Sequence, residues 1–128
     1  MQKQIVFVQD SVSISTGAVV ISKLNEAGVN ITKIGTIPIQ VDSTENDITS
    51  LLESLVSFAD ITFGISSSGN GIAIYGNKIE GITAAQISSY ADIEEAMFQQ
   101  SCNLYDVSAC NNEAASLFVE IAKKAGAI

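Results

Sequence analysis

The sequence predicts an α/β fold: one Rossmann-like, three-layer domain spanning residues 1–128, with a five-stranded parallel sheet and helices on both faces. Three observations lead there. Short apolar, β-branched runs alternate with segments of helical spacing, the pattern of parallel strands joined by crossover helices. The first run, Gln-Ile-Val-Phe-Val at residues 4–8, has no polar alternation, as expected of a strand buried on both faces. The third, at residues 61–65, opens through Ser66-Ser67-Ser68-Gly69-Asn70-Gly71 into a helical segment. Such a strand–turn–helix leaves backbone N–H groups pointing outward at the positive end of a helix dipole.

The elements follow in order. Gln9-Asp10-Ser11 ends the first strand, and a helix is expected over 15–27, with Val20, Leu24 and Ala27 on one face. Gly28 is placed to end it. Residues 29–34 read as a second strand, and residues 35–41, with Pro38, as a loop or short extended connection. Ser43 precedes a helix carrying Ile48, Leu51, Leu52, Leu55 and Val56 at helical spacing, with Glu45 and Asp47 in its first turn, where the dipole favours acids. After the third strand and the Ser/Gly turn comes a short helix at 72–78, then a fourth strand at 82–87. Ser89 and Asp92 form a capping-box pair ahead of Ile93, Ala96 and Met97. Residues 104–107 are the fifth strand. Asn111 or Asn112 caps the last helix, whose apolar stripe is Ala114, Leu117, Phe118, Ile121 and Ala122, closed by Lys123, Lys124 and Gly126. Phe7, Phe58, Phe63, Phe98, Phe118, Tyr75, Tyr90 and Tyr105 are expected to pack in the core.

Composition narrows the function. Net charge is −8, the six basic residues are all lysines, and they form no cluster, which argues against nucleic acid or an anionic membrane as partner. No apolar run is long enough to span a bilayer. Cys102 and Cys110 flank a strand whose extended length of roughly 26 Å argues against a disulfide between them, and a reducing cytoplasmic setting fits. There is no histidine and no Cys/His metal spacing, so neither metal nor cofactor is expected.

Right-handed crossovers place the turns after the strands along one sheet edge, where ligands of open α/β sheets bind. Asp10, the 66–71 turn, Ser88 and Ser108 are therefore expected to be neighbours. Asp10 suits hydrogen bonding to sugar hydroxyls. Ser66 would need an adjacent base to act as nucleophile or base, and no histidine is available, so a hydrogen-bonding turn serine is the favoured reading. Lys78, at a helix end, reads as solvated, Glu94 and Glu95 as an exposed face, and Gln99, Gln100 and Asn103 as loop polarity. Phosphoacceptor receiver domains share this length, but they need an aspartate ending the third strand and a lysine after the fifth. Here Ile65-Ser66 and Val107-Ser108 stand there.

Residues 65–85 resemble the signature of the sugar-phosphate isomerase family that includes type B ribose-5-phosphate isomerase and the galactose-6-phosphate isomerase subunits. In that family a strand ends in Cys-Gly-Thr-Gly-x-Gly, followed by a short helix ending in Asn-Lys and a Gly-Ile/Met-x-Ala-Ala strand. The same order here reads Ser66-Ser67-Ser68-Gly69-Asn70-Gly71, Asn77-Lys78 and Gly81-Ile82-Thr83-Ala84-Ala85. The family's His-Asn-Asp-Ala-Asn falls on Gln99-Gln100-Ser101-Cys102-Asn103, and its Ser-Asp-x-Ala-Gly on Gln9-Asp10-Ser11-Val12-Ser13.

The resemblance implies aldose–ketose isomerisation through a cis-enediolate, with loop amides stabilising the oxyanion. It implies Ser66 at the base position, Ser68 at the threonine position and Asp10 as the sugar-binding aspartate. Ser67, Gly69, Asn70, Gly71, Gln99 and Asn103 would bind substrate, a sugar phosphate or small anion. It also implies a homodimer or higher assembly, with a homologous second subunit as another route to a shared site. Three family features are changed: the base cysteine is Ser66, the ring-opening histidine is Gln99, and the phosphate-holding arginines have no counterpart. A non-catalytic member that binds a sugar or small anion, or serves as a regulatory or structural subunit, is the alternative.

Overall fold

The sheet is built around strand β1 (Ile5–Asp10), whose six residues are all buried. The computed structural model describes residues 3–38 and 45–128, except the side chains of residues 45 and 46. Helix α1 (Ile14–Glu26) leads to β2 (Lys33–Ile37), and α2 (Glu45–Val56) to β3 (Ile61–Ser66). Helix α3 (Gly71–Gly76) precedes the short β4 (Ala84–Gln86). Helix α4 (Tyr90–Glu94) runs on into a π-helical turn (Glu95–Gln99), before β5 (Leu104–Ser108) and α5 (Ala114–Lys124). The order across the sheet is β2-β1-β3-β5-β4, and every pairing is parallel. The chain leaves β1 for β2 on one side and reaches β3 on the other. The switch in strand order therefore falls between Asp10 and Ser66.

Period-two alternation sends each strand's side chains to two cores. One face carries Ile5, Phe7, Phe63, Ile65, Tyr105 and Val107 against Val20 and Leu24 of α1 and Leu117, Phe118 and Ile121 of α5. Phe118 is its hub: it stacks on Phe63 at 4.5 Å between ring centroids and meets Phe7 edge-on at 6.1 Å. The other face packs Val6, Val8 and Leu104 against Ile48, Leu52, Leu55 and Val56 of α2 and Ile72 of α3. Asp10, Ser66 and Asp106 share the parity of this second face, which brings three polar side chains under α3.

Several expected boundaries shift, each for a packing reason. The second strand occupies Lys33–Ile37 rather than 29–34, because its register with β1 pairs Val6 with Lys33 and Asp10 with Ile37. Gly35 lies inside it: an added Cβ would come within 2.5 Å of the Leu55 side chain, so α2 approaches over a bare backbone. The fourth strand shrinks to three residues, the length over which it pairs with β5. The first helix starts at Ile14, Ala27 is exposed, and Gly28 ends the helix at φ +88°. The third helix is Gly71–Gly76 rather than 72–78. The last helix is capped at Glu113, and Asn111 acts one step earlier by accepting the Glu113 N–H at 2.9 Å. The Ser89/Asp92 capping box forms. Ser43 lies outside the described residues. Phe58, Phe98 and Tyr90 are exposed rather than packed, Phe98 most of all. Cys102 and Cys110 are free thiols. No described helix is long and apolar enough to cross a membrane.

Phe118→Ala removes the ring that joins Phe7 and Phe63. The expected loss is about 3–5 kcal/mol of unfolding free energy, measured by urea denaturation at constant m-value.

Candidate functional site

The site begins with Gly64 in the middle of β3. A Cβ there would press on Ile72 at 3.1 Å and on Asp106 Oδ1 at 3.2 Å. The bare backbone lets α3 settle onto the sheet and leaves room for the Asp106 carboxylate, which has no exposed surface. Ser66 Oγ lies 2.7 Å from both oxygens of that carboxylate and donates to it. Ser66 Oγ accepts the Ile72 N–H at 3.0 Å, and Asp106 Oδ2 accepts the Ala73 N–H at 2.9 Å. A buried carboxylate is costly unless its oxygens are hydrogen-bonded, and here both are. Burial nevertheless pushes the Asp106 carboxyl up to about 6, against the lowering effect of the bonds from Ser66, Ala73 and Ile72. The nearby Asp10 charge adds to the rise.

Asp10 closes β1 beside this turn. Its Oδ2 accepts both the Ser67 N–H at 2.6 Å and the Ser67 hydroxyl at 2.9 Å. Its Oδ1 is buried and has no hydrogen-bond partner among the described residues. Gly69, at φ +92°, turns the loop, and its N–H reaches the Ser66 carbonyl at 3.1 Å. Ser68 Oγ accepts the Gly71 N–H at 2.9 Å and lies 3.5 Å from the Asn70 N–H. From Ser67 to Ala73, the Ser68 amide alone has no acceptor among the described residues.

A cavity of about 390 Å³ opens next to the loop. Its polar side is Asp10, Ser67, Ser68 and Gly71, and its apolar side is formed by Ile37, Ile48, Leu52 and Tyr75 together with Pro38 and Ile72. Lys78 places its ammonium 5.6 Å from the centre of the Tyr75 ring. Among the described residues no group of three His, Cys, Asp or Glu is placed to hold a metal ion.

Asp10 and the 66–71 turn thus come together, and Ser108 pairs with Ser66 across β3 and β5. Ser88, after β4, accepts from Asn111 Nδ2 at 3.3 Å. Gln99 and Asn103 do not join this group within the chain. Asn103 precedes β5, at the opposite edge of the sheet, where it accepts the Thr83 N–H at 3.0 Å and donates to the Gly81 carbonyl at 2.9 Å. Gln99 is exposed at the end of the π-helical turn. Asp106 was not legible as a site residue. Its one sequence signal is a charge inside the apolar run Leu-Tyr-Asp-Val-Ser, and its partner is forty residues away.

A five-stranded parallel sheet with a carboxylate and a Ser/Gly loop meeting at its switch point defines a Rossmann-like domain with a small-molecule crevice. The chain belongs to the ribose/galactose isomerase family, whose family model matches residues 5–125. No curated protein matches it by sequence. Among solved structures it is similar to the Giardia lamblia ribose-5-phosphate isomerase B, at 19% identity and TM-score 0.69, over 95% of this chain and 85% of that one. The Leishmania infantum type B enzyme gives 18% identity and TM-score 0.71, over 94% and 82%. The Mycoplasma genitalium ribose-5-phosphate isomerase B with bound ribulose-5-phosphate gives 16% and 0.68, over 96% and 83%.

The raised Asp106 value sets a pH dependence. In the unfolded chain the carboxyl titrates near its ordinary value of about 4, and in the folded chain near 6. Between these values the unfolded state binds fewer protons, so stability falls as pH rises from about 4 to 6 and the loss stays constant above. Asp106→Asn is expected to flatten that window, removing a slope worth on the order of 2–3 kcal/mol in denaturant titrations at successive pH values.

Proposed function

We propose that the chain is a sugar-phosphate aldose–ketose isomerase of the pentose or hexose 6-phosphate class, working through a cis-enediolate. One observation carries the reading: the Asp10 carboxylate is clamped to Ser67 at the wall of a cavity of about 390 Å³, beside the loop that bears the family signature. The type B ribose-5-phosphate isomerases of similar fold, one of them holding ribulose-5-phosphate, support the substrate class.

In this reading Asp10 accepts a hydrogen bond from a sugar hydroxyl, and the Ser68 N–H donates to the neighbouring carbonyl oxygen as charge develops on it. Tyr75 and the aliphatic wall cover the carbon face of the sugar. Lys78, held over Tyr75, takes the phosphate end as a point charge, since the chain has no arginine to grip it bidentately. Gln99 and Asn103 reach such a cavity only from a neighbouring copy or a homologous subunit, so the working site is shared between chains.

A second reading, binding of a sugar or small anion without turnover, draws on one specific observation. The amides of Ser67, Gly69, Gly71, Ile72 and Ala73 already have acceptors inside the chain, which leaves few donors for an oxyanion.

Incubation of purified protein with pentose and hexose phosphates, followed by ketose formation, separates the two. Turnover supports the first reading; calorimetric binding with every sugar phosphate left unconverted supports the second. Under the first, Asp10→Asn lowers kcat/KM by about 100-fold through the lost charge-assisted bond. Lys78→Ala raises KM by about 10-fold with kcat nearly unchanged, as expected of a group that holds ground state and transition state alike.

A further inference from the structure

An isomerase needs a group that takes a proton from carbon, and the serine at the family's base position cannot do this unaided. The structure supplies what the serine lacks. Its hydroxyl hydrogen is directed at a carboxylate, with Ser66 Oγ 2.7 Å from both Asp106 oxygens. Its remaining environment is equally fixed: the Ile72 N–H occupies one lone pair at 3.0 Å and orients the hydroxyl. The pair lies directly behind the loop. A Cβ at Gly71, a cavity-lining residue, would sit 2.9 Å from Ser68 Oγ and 4.0 Å from Ser66 Oγ, so the bare glycine lies against both hydroxyls.

We propose that Asp106 is the proton acceptor behind Ser66, so that the serine takes the substrate proton and hands its own to the carboxylate. The inference rests on the isomerase reading given above. In the forward direction the C2–H bond of the open-chain aldose breaks, and its electron pair forms the C1–C2 double bond of the enediolate as the carbonyl π pair moves onto O1. The C2 proton goes to Ser66 Oγ while the Ser66 hydroxyl proton goes to Asp106. The O2 proton then passes to O1 within the cis-enediolate. Asp106 returns its proton through Ser66 to C1, giving the ketose and the starting dyad. No oxidant, metal or co-reactant is consumed. Ser66 has no exposed surface, so the substrate carbon reaches it only as the turn from Ser68 to Gly71 gives way. Asp106 touches no substrate and acts as a positioning and proton-storing residue.

The groups facing Asp106 are the Ser66 hydroxyl from β3, the Ile72 and Ala73 N–H groups from α3 and the Asp10 carboxylate from β1. Burial and the Asp10 charge favour the protonated carboxyl, the three hydrogen-bond donors favour the charged one, and the balance leaves it raised to about 6.

The test compares wild type, Asp106→Asn, Ser66→Cys and the double variant on ribose-5-phosphate and galactose-6-phosphate, with C–H exchange in deuterated water as a second readout. A cysteine ionises readily enough to work without the carboxylate. Expected is a 100-fold or larger fall in kcat for Asp106→Asn with KM changed by less than about 3-fold, and recovery of kcat in the double variant, a rescue that a merely structural aspartate would not give. Asp106→Asn with near wild-type kcat, or a double variant no better than the single one, overturns the proposal. An active wild type matched by Asp106→Asn removes the dyad and leaves the isomerase reading standing, whereas a wild type inert beside an active Ser66→Cys overturns both, since only the variant is then an isomerase. If both are inert, the isomerase reading falls and this inference with it. Should Asp106→Asn fail to fold, the wild-type pH–rate profile replaces it. An acid limb near pH 6 that disappears in Ser66→Cys supports the dyad, and a limb that persists there refutes it.

Discussion

The buried carboxylate of Asp106 is the interaction around which the ligand edge of the sheet is arranged. It joins three elements at once: β5, which carries it, β3, through Ser66, and α3, through the Ala73 N–H. An uncompensated charge there would cost several kcal/mol, so each bond to it is also a constraint on its neighbours. Gly64 has to be bare to admit it, Ser66 has to carry a donor, and α3 has to begin at a height where the Ile72 amide meets Ser66 Oγ and the Ala73 amide meets Asp106 Oδ2. A helix of six residues has little stability of its own. The fit of its first turn to Ser66, Ser68 and Asp106 holds it in place.

The same arrangement decides what the loop has left for a ligand. A Ser/Gly turn entering a helix suggests a row of outward amides. Here most of that row is satisfied from within, by two carboxylates and two serine hydroxyls. The cavity beside it is lined by Asp10, whose second oxygen is buried and unpartnered among the described residues, by Ser67 and Ser68, and by a largely apolar wall. With a net charge of −8, the field of the whole molecule opposes an anionic ligand wherever no local donor offsets it.

The two halves of the family motif part company in the fold. The loop and Asp10 meet at the switch point, while Gln99 and Asn103 sit at the other edge, engaged with the turn before β4 or with solvent. Gln99 closes a π-helical turn next to Phe98, and both residues are exposed. A motif continuous in sequence order is thus divided between two surfaces of one chain.

Local chemistry was enough to read much of this protein. The uninterrupted apolar runs at β1 and β3 identify central strands, because a strand covered on both faces has no polar position to offer. Ser89 with Asp92, Gly28 after α1 and the lysines ending α5 mark helix ends through bonds that span only a few residues. The meeting of Asp10 with the 66–71 turn was also legible, because parallel crossovers oblige those ends to share an edge. Edge strands were misjudged, since β2 and β4 take their limits from pairing with β1 and β5 and not from their own residues. The bond between Ser66 and Asp106 could not be read at all. It depends on strand register across forty residues and on the room left by Gly64, and neither is encoded in any one stretch of chain. The sequence by itself determined the layers and the loop. Only the tertiary structure decided that a buried carboxylate would stand behind the serine, because burial and register are properties of elements already packed together.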